Sequence, residues 1–156
     1  MPTNSVDSLV QAWQEYLKAV DWTKTIQGFA AKQSGCGLIY ELPNPLSRPA
    51  EDFSIADMRK LLYTEPHFHP APDIEVYFVL QGHGLMVVGD NEQQVAAGSV
   101  IVIPPDTAHF TIPTDMVIAV VNTPPFKPDR YIPLTETNPS VGFDYQRFTK
   151  LTSSAK

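Results

Sequence analysis

Three of the four histidines and one carboxylate are spaced so that they could bind a metal ion. His67 and His69 are one residue apart in the segment EPHFHPAPDIEVYFVLQGHG, and Glu75 follows them. Side chains at positions i and i+2 of a strand point to the same face, so the two imidazoles point the same way. His109 adds a third imidazole after the buried run and proline turn of GSVIVIPPDTAH, whereas His83 lies in the turn signal QGHG and should be exposed. Three imidazoles and one carboxylate can supply four ligands to one divalent metal.

Short strands joined by rigid turns are the elements that would position these residues. The chain has 156 residues and 15 prolines, about twice the usual share of roughly 5%. The prolines fall between apolar runs, which excludes a helical bundle and favours an antiparallel sandwich or barrel. The expected strands cover residues 37–42, 55–63, 74–81, 84–89, 92–96, 99–103, 107–112 and 116–122.

One helix is expected, at the N-terminus. In the stretch SVDSLVQAWQEYLKAV the apolar residues recur at helical spacing, and this face should pack on the outside of the barrel or on a second subunit. With no internal repeat or linker, we predict one domain. Its parts are a helical extension (1–36), a barrel core (53–123) and a C-terminal wrap (124–156), within a single domain of residues 1–156.

The composition and charge of the chain argue against several classes of function. The net charge of −6 argues against nucleic acid or an anionic membrane as a partner, because both require a basic face. No apolar run approaches the length of a membrane span, and the N-terminal sequence is not typical of a secretory signal. A single cysteine, Cys36, cannot form an internal disulfide and is interpreted as a structural thiol. These features predict a cytoplasmic protein.

The histidine-rich segments resemble the two motifs of the cupin superfamily, in particular its small single-domain (cupin type 2) members. The first motif reads G-x5-H-x-H-x(3,4)-E-x6-G and the second G-x5-P-x-G-x2-H-x3-N. The matching residues are His67, His69, Glu75 and Gly82 in the first motif, and Gly98, Pro104 and His109 in the second. The departures are Leu61, Asp106 and Pro113 at motif positions for glycine, glycine and asparagine, and five residues between His69 and Glu75.

This resemblance implies a small jelly-roll β-barrel with a metal near one mouth. The implied cofactor is one divalent transition metal (Fe, Mn, Ni or Zn), held by His67, His69, Glu75 and His109. Because the segment PAPDI carries one extra residue before Glu75, Asp73 is the alternative fourth ligand.

Three residues are candidates to contact a substrate. Tyr77 shares a strand face with Glu75 and should line the cavity beside the metal. Arg59 and Tyr63 share a parity on the preceding predicted strand, and an inward Arg59 would bind a carboxylate or phosphate. The alternative is that Arg59 is a solvated strand residue.

Two classes of function remain open at this stage. One is a metal-dependent enzyme acting on a small polar substrate, either dioxygenase-like or similar to a sugar isomerase or epimerase. The other is a non-catalytic module that binds a small ligand through its metal. An open coordination position favours the enzyme, because structural metals are usually closed by protein ligands. The family resemblance also implies a homodimer.

Overall fold

The fold is mainly β, as predicted. The computed structural model describes residues 5–154. Its helices are α1 (Ser5–Leu17), α2 (Trp22–Thr25), a 3-10 turn (Pro128–Arg130) and α3 (Tyr145–Ser153). Its strands are β1 (Lys32–Ser34), β2 (Gly37–Leu42), β3 (Phe53–Asp57), β4 (His67–Phe68), β5 (Ile74–Val88), β6 (Asn91–Ala96), β7 (Val100–Ile103), β8 (His109–Thr123) and β9 (Ile132–Pro133).

The strands of the described residues form one antiparallel sheet that curls into a half-barrel. The main order is β1-β2-β3-β8-β4-β9, and β5 pairs with β6, β7 and β8. Strand β8 therefore lies at the centre, because it pairs with β3, β4 and β5. This confirms the predicted small antiparallel barrel with an N-terminal helix.

The two longest strands each join a pair of strands that the sequence predicts separately. β5 covers most of the predicted segments 74–81 and 84–89, and β8 covers most of 107–112 and 116–122. The pairing of β5 with β8 shifts register between Val79 and His83, so the predicted turn QGHG is a bulge within one strand. Gly82 has φ +79° there, and a Cβ atom would overlap the carbonyl oxygen of Asp115. Only glycine allows this close approach.

The predicted strand at 55–63 is wrong in its second half. β3 ends at Asp57, and the chain then turns, with Leu61 N donating to Met58 O at 3.0 Å. The Asp57 carboxylate starts this turn by accepting from the backbone N–H of Arg59 at 3.1 Å. Residues 59–63 therefore have no alternating strand faces. The prediction that Arg59 and Tyr63 point inward together is wrong.

Alternate residues of β8 contribute to two different cores. One set packs with the helix on the outer face of the sheet: Val117, Ala119 and Val121. The other set fills the inner face: Met116, Ile118 and Val120. The sheet thus buries both faces, one under α1 and one inside the half-barrel.

Helix α1 packs on its own sheet, which decides between the two alternatives for its apolar face. Leu9, Trp13 and Leu17 are buried in the same cluster as Phe53 of β3. The indole of Trp13 lies 5.0 Å from the Phe53 ring, and its Nε1 donates to Glu51 Oε1 at 2.6 Å. The predicted homodimer stays a prediction. None of the helices within residues 5–154 is long and apolar enough to cross a membrane.

We expect Trp13→Ala to lower the free energy of unfolding by about 3–5 kcal/mol, the usual cost of truncating a fully buried aromatic side chain. Urea denaturation at several protein concentrations measures it. The matched control is Gln14→Ala on the exposed side of the same helix, expected to change the value by about 0.5 kcal/mol or less. A loss that grows on dilution would place Trp13 at an interface between copies instead.

Candidate metal site and cavity

The sheet brings together four side chains that are distant in sequence. His67 of β4 pairs directly with His109, the first residue of β8. Glu75 lies at the start of β5, which pairs with β8 along its whole length. His69 follows β4 on the same side as His67. The strand pairing therefore places three imidazoles and one carboxylate at one end of the half-barrel.

These side chains form a compact, buried cluster. Their ligand atoms all lie within 4.8 Å of one another. Glu75 sits between two of the imidazoles, with Oε2 at 3.4 Å from His69 Nε2 and Oε1 at 3.3 Å from His109 Nε2. All four residues are at most 6% exposed. Between the two sequence alternatives for the fourth ligand, the geometry favours Glu75, because the Asp73 carboxylate is bound to Arg130 at 2.8 Å instead.

Backbone carbonyls fix the orientation of all three imidazoles. Each Nδ1 atom lies within hydrogen-bond distance of a carbonyl oxygen, and since a carbonyl only accepts, each Nδ1 carries the proton. The acceptors are Glu65 O for His67 (2.9 Å), Arg130 O for His69 (3.1 Å) and Thr107 O for His109 (3.0 Å). The three Nε2 atoms are therefore left as electron-pair donors directed into the cluster, which is how metal-binding histidines are usually held.

The clustered groups shift one another's pKa. Burial and the nearby His109 hold the pKa of His67 well below its usual value, so this imidazole is neutral. Burial alone would raise the pKa of Glu75, but the adjacent His109 and His69 rings outweigh it and hold that pKa well below the usual range. Burial likewise opposes charge on His69, yet the nearby Glu75 carboxylate raises its pKa. Glu75 is thus an ionised carboxylate that requires positive charge beside it.

The cluster fits a divalent metal ion. His69 Nε2, His109 Nε2 and Glu75 Oε1 are buried and have no hydrogen-bond partner among the described residues. Leaving three such atoms unpaired away from water costs free energy. One cation bound to all of them would satisfy each atom, and nitrogen and carboxylate donors are compatible with Fe, Mn, Ni and Zn. The ligand set does not select among these metals.

A cavity of about 690 Å³ opens beside the cluster. His67, His69 and Glu75 line it, so one side of the cluster faces open space. Another part of its wall is apolar: Ile39, Ala56, Met58, Ile118 and Val120. A cavity of this volume is in the range that holds a small organic ligand.

Tyr77 lines this cavity, as its shared face with Glu75 predicts. Its side chain is buried, and burial together with the Glu75 charge raises the pKa of its phenol well above the usual value. The hydroxyl therefore stays protonated and can donate a hydrogen bond. Among the three predicted substrate contacts, Tyr77 is the one that the structure places in the cavity.

Arg59 and Tyr63 lie away from the cavity. The Arg59 guanidinium binds the Asp57 carboxylate at 2.8 and 2.9 Å and lies over the Trp22 ring. Tyr63 is partly exposed and packs edge-on against Phe148. Neither residue can contact a ligand beside the metal cluster from these positions. His83, by contrast, is exposed as expected.

Sequence reasoning missed three residues in the cavity wall: Cys36, Glu65 and Tyr131. The Tyr131 hydroxyl donates to Glu65 Oε1 at 2.6 Å, and its ring stacks on His67 with the centroids 4.1 Å apart. The Cys36 sulfur lies 3.6 Å from the Tyr131 hydroxyl, and burial raises the pKa of this thiol to about 12. The sequence offered one signal for these residues, the aromatic side chain of Tyr131 in the proline-rich tail. No strand pattern could assign that tail to the site.

Comparison with known proteins agrees with this geometry. Residues 61–121 match the family model described as "Cupin domain", and this range contains all four ligand candidates. A gentisate 1,2-dioxygenase from Haloferax sp is 42% identical over 50 residues, which is 32% of this chain and 13% of that protein. An uncharacterized Streptomyces coelicolor protein is 41% identical over 58 residues, 36% of this chain and 55% of that protein. The chain thus spans well under two thirds of either relative.

Among solved structures, a variant of Streptomyces Pac13 with uridine superposes with a TM-score of 0.61 at 14% sequence identity. The match covers 71% of this chain and 88% of that one. Pac13 is described as a nucleoside dehydratase. At this level of identity the likeness shows a shared fold and carries no statement about the reaction.

We expect the purified chain to contain about one transition metal, and His67→Ala or His109→Ala to lower that content at least about tenfold, because each removes one of four ligands. Elemental analysis after expression with Fe, Mn, Ni and Zn available measures it. His83→Ala is the matched control, because it removes the exposed histidine and should leave the content unchanged. A wild-type chain without metal under these conditions would refute the site.

Proposed function

The chain is a small cupin-domain protein, and from that premise we propose that it is a metal-dependent enzyme. Its substrate would be a small organic molecule bound in the cavity beside His67, His69, Glu75 and His109. The observation that carries this proposal is the open side of the cluster. Three of the four candidate ligand residues, His67, His69 and Glu75, line a cavity, whereas a structural metal is usually enclosed by protein ligands.

The metal would supply a Lewis acid, or a redox centre if it is iron. The protein's own residues supply the rest. The apolar wall of β3 and β8 excludes water from the ligand. Tyr77 offers a protonated hydroxyl next to Glu75, and this donor can hold an oxygen atom of the substrate.

The charges of the cavity favour one substrate class over the other. Four carboxylates line it, at Glu41, Asp52, Glu65 and Glu75, and the only cation in the wall formed by the described residues is Lys32. Lys32 is exposed and already paired with Glu41 at 3.0 Å. Phosphate groups are normally bound by arginine or lysine forks, and Arg59, the expected anion clamp, lies elsewhere. We therefore favour a substrate that is neutral or singly charged over a sugar phosphate.

This charge distribution argues against the sugar isomerase-like alternative in the form that acts on a phosphorylated sugar. The local sequence similarity to a gentisate dioxygenase, which contains 50 aligned residues, favours the dioxygenase-like alternative. We thus propose that the protein is an oxidoreductase that acts on a small hydroxylated acid or a similar compound. Under this proposal residues 61–121, which match the cupin domain, contribute the metal ligands, and the remaining wall of the cavity selects the substrate.

Matched probes test the proposed substrate class. With the ferrous-loaded protein, we expect gentisate to raise the melting temperature, because a ligand of the native state stabilises it, and to cause oxygen uptake. Mannose and mannose 6-phosphate form the control pair, and the phosphate should stabilise no better than the free sugar. Stabilisation by mannose 6-phosphate alone would reverse the choice of class. Binding of gentisate without turnover under any metal would favour the non-catalytic module.

The variant Tyr77→Phe tests the role of one hydroxyl in the same assay. We expect the metal content to stay within about twofold of wild type, because Tyr77 is not a ligand. The affinity for gentisate should fall about tenfold, the effect of one lost hydrogen bond of about 1.4 kcal/mol. Equal loss of metal and ligand would instead show that the substitution disturbs the cluster. Unchanged affinity would remove Tyr77 from the substrate contacts.

A further inference from the structure

The segment that follows β8 returns to the metal cluster. We call residues 126–134 the C-terminal strap; it contains the 3-10 turn and β9. β9 pairs with β4, placing Pro133 opposite His67, and Leu134 N donates to Pro66 O at 2.9 Å. The strap lies beyond residue 121, the last residue that matches the cupin domain family. Its contacts to the site are therefore a property of this chain outside the matched domain.

The strap contacts two of the three imidazoles directly. The carbonyl of Arg130 accepts the Nδ1 proton of His69 at 3.1 Å. The Tyr131 ring stacks on His67 at an interplanar angle of 19°. The ring of Phe126 meets His69 edge-on, with centroids 6.0 Å apart. The orientation of His69 depends on where the strap holds the Arg130 carbonyl.

The Arg130 side chain fastens the strap to the loop between β4 and β5. Its Nε donates to Asp73 Oδ2 at 2.8 Å, and its Nη2 donates to Ala71 O at 2.7 Å and Pro70 O at 3.2 Å. This loop joins His69 to Glu75, so one guanidinium holds the connection between two ligands. The Asp73 side chain is only 8% exposed, and without Arg130 it would be a buried carboxylate lacking its cation.

The loop is also where the chain departs from the cupin motif by one residue. Five residues separate His69 from Glu75, and an unrestrained loop of this length could displace Glu75. The longer loop presents Asp73 and two carbonyl oxygens to Arg130, and these three contacts restrain it. Arg130 thus compensates for the extra residue.

We propose that Arg130 is a positioning residue of the metal site. Its side chain restrains the loop between His69 and Glu75, and its main chain fixes the tautomer and orientation of His69. The first test of this inference, which measures metal affinity, rests on the proposed metal-dependent function. The second readout, the tautomer of His69, does not depend on metal.

The first experiment compares Arg130→Gln with Arg147→Gln for Co²⁺ affinity, by competition with a chromophoric chelator. Arg147 is a matched control, because it also binds one carboxylate, Glu92, and two carbonyl oxygens, but it lies on α3 away from the cluster. We expect Arg130→Gln to lower the affinity about 10- to 100-fold, as for other residues that orient metal ligands. Arg147→Gln should stay within twofold of wild type. Arg130→Lys should recover part of the loss.

The visible spectrum at saturating Co²⁺ separates positioning from general stability. We expect Arg130→Gln to change the cobalt absorption bands, since the ligands are displaced, and Arg147→Gln to leave them unchanged. Asp73→Asn should reproduce the effect of Arg130→Gln. The double variant should lose no more affinity than either single one, because both remove the same interaction. Additive losses would contradict the proposed pair.

The tautomer of His69 is measured by NMR of histidine labelled with ¹⁵N, with no metal added. Wild type should show the proton on Nδ1, and Arg130→Gln should show a mixture of tautomers at His69 while His109 stays unchanged. An unchanged His69 together with unchanged cobalt affinity would overturn the positioning role. If wild type itself does not bind Co²⁺, the proposed function fails, and the tautomer measurement still decides the role of Arg130.

Discussion

The arrangement of this end of the barrel depends on the contacts between the buried carboxylate of Glu75 and the imidazoles around it. Glu75 is ionised and shielded from water, so it is tolerated only with positive charge beside it. Backbone carbonyls accept the Nδ1 proton of each neighbouring imidazole, and this leaves each Nε2 atom directed into the cluster. The register of β4, β5 and β8 sets these distances. A slip of one residue in any of these strands would turn the ligand that it carries to the opposite face.

The two faces of the sheet have divided roles. The outer face is closed by α1 through Trp13 and its neighbours, which makes the sheet a rigid support. The inner face is only partly filled, and the unfilled end forms the cavity beside the cluster. The cupin domain supplies the four ligands. Segments on either side of it, through Cys36 and Tyr131, complete the cavity wall.

The sequence predicted the ligand cluster because its signal is local. His67 and His69 share a face by strand periodicity, His109 lies at the spacing of the second motif, and Glu75 lies one residue beyond the spacing of the first. The misplacement of Arg59 and Tyr63 has a specific cause: the side chain of Asp57 caps a turn and ends β3, while the apolar pattern continues past it. Cys36 and Tyr131 could not be predicted, because only the tertiary fold brings the two ends of the chain to the same wall. The merging of predicted strands into β5 and β8 likewise depended on a bulge, and the flanking glycines had indicated a turn.

The central position of β8 also has a consequence for the order in which the site is made. His67, His69 and Glu75 precede β8 in the chain, and His109 and the Arg130 carbonyl are synthesised later. Pairing of β5 with β8 joins segments far apart in sequence, so it is slow compared with local structure formation. A nascent chain on the ribosome therefore carries three ligands with no site to organise them. A metal ion held by all four residues would therefore bind only after β8 and the C-terminal strap have been synthesised, so that metal would have to be supplied to the completed chain.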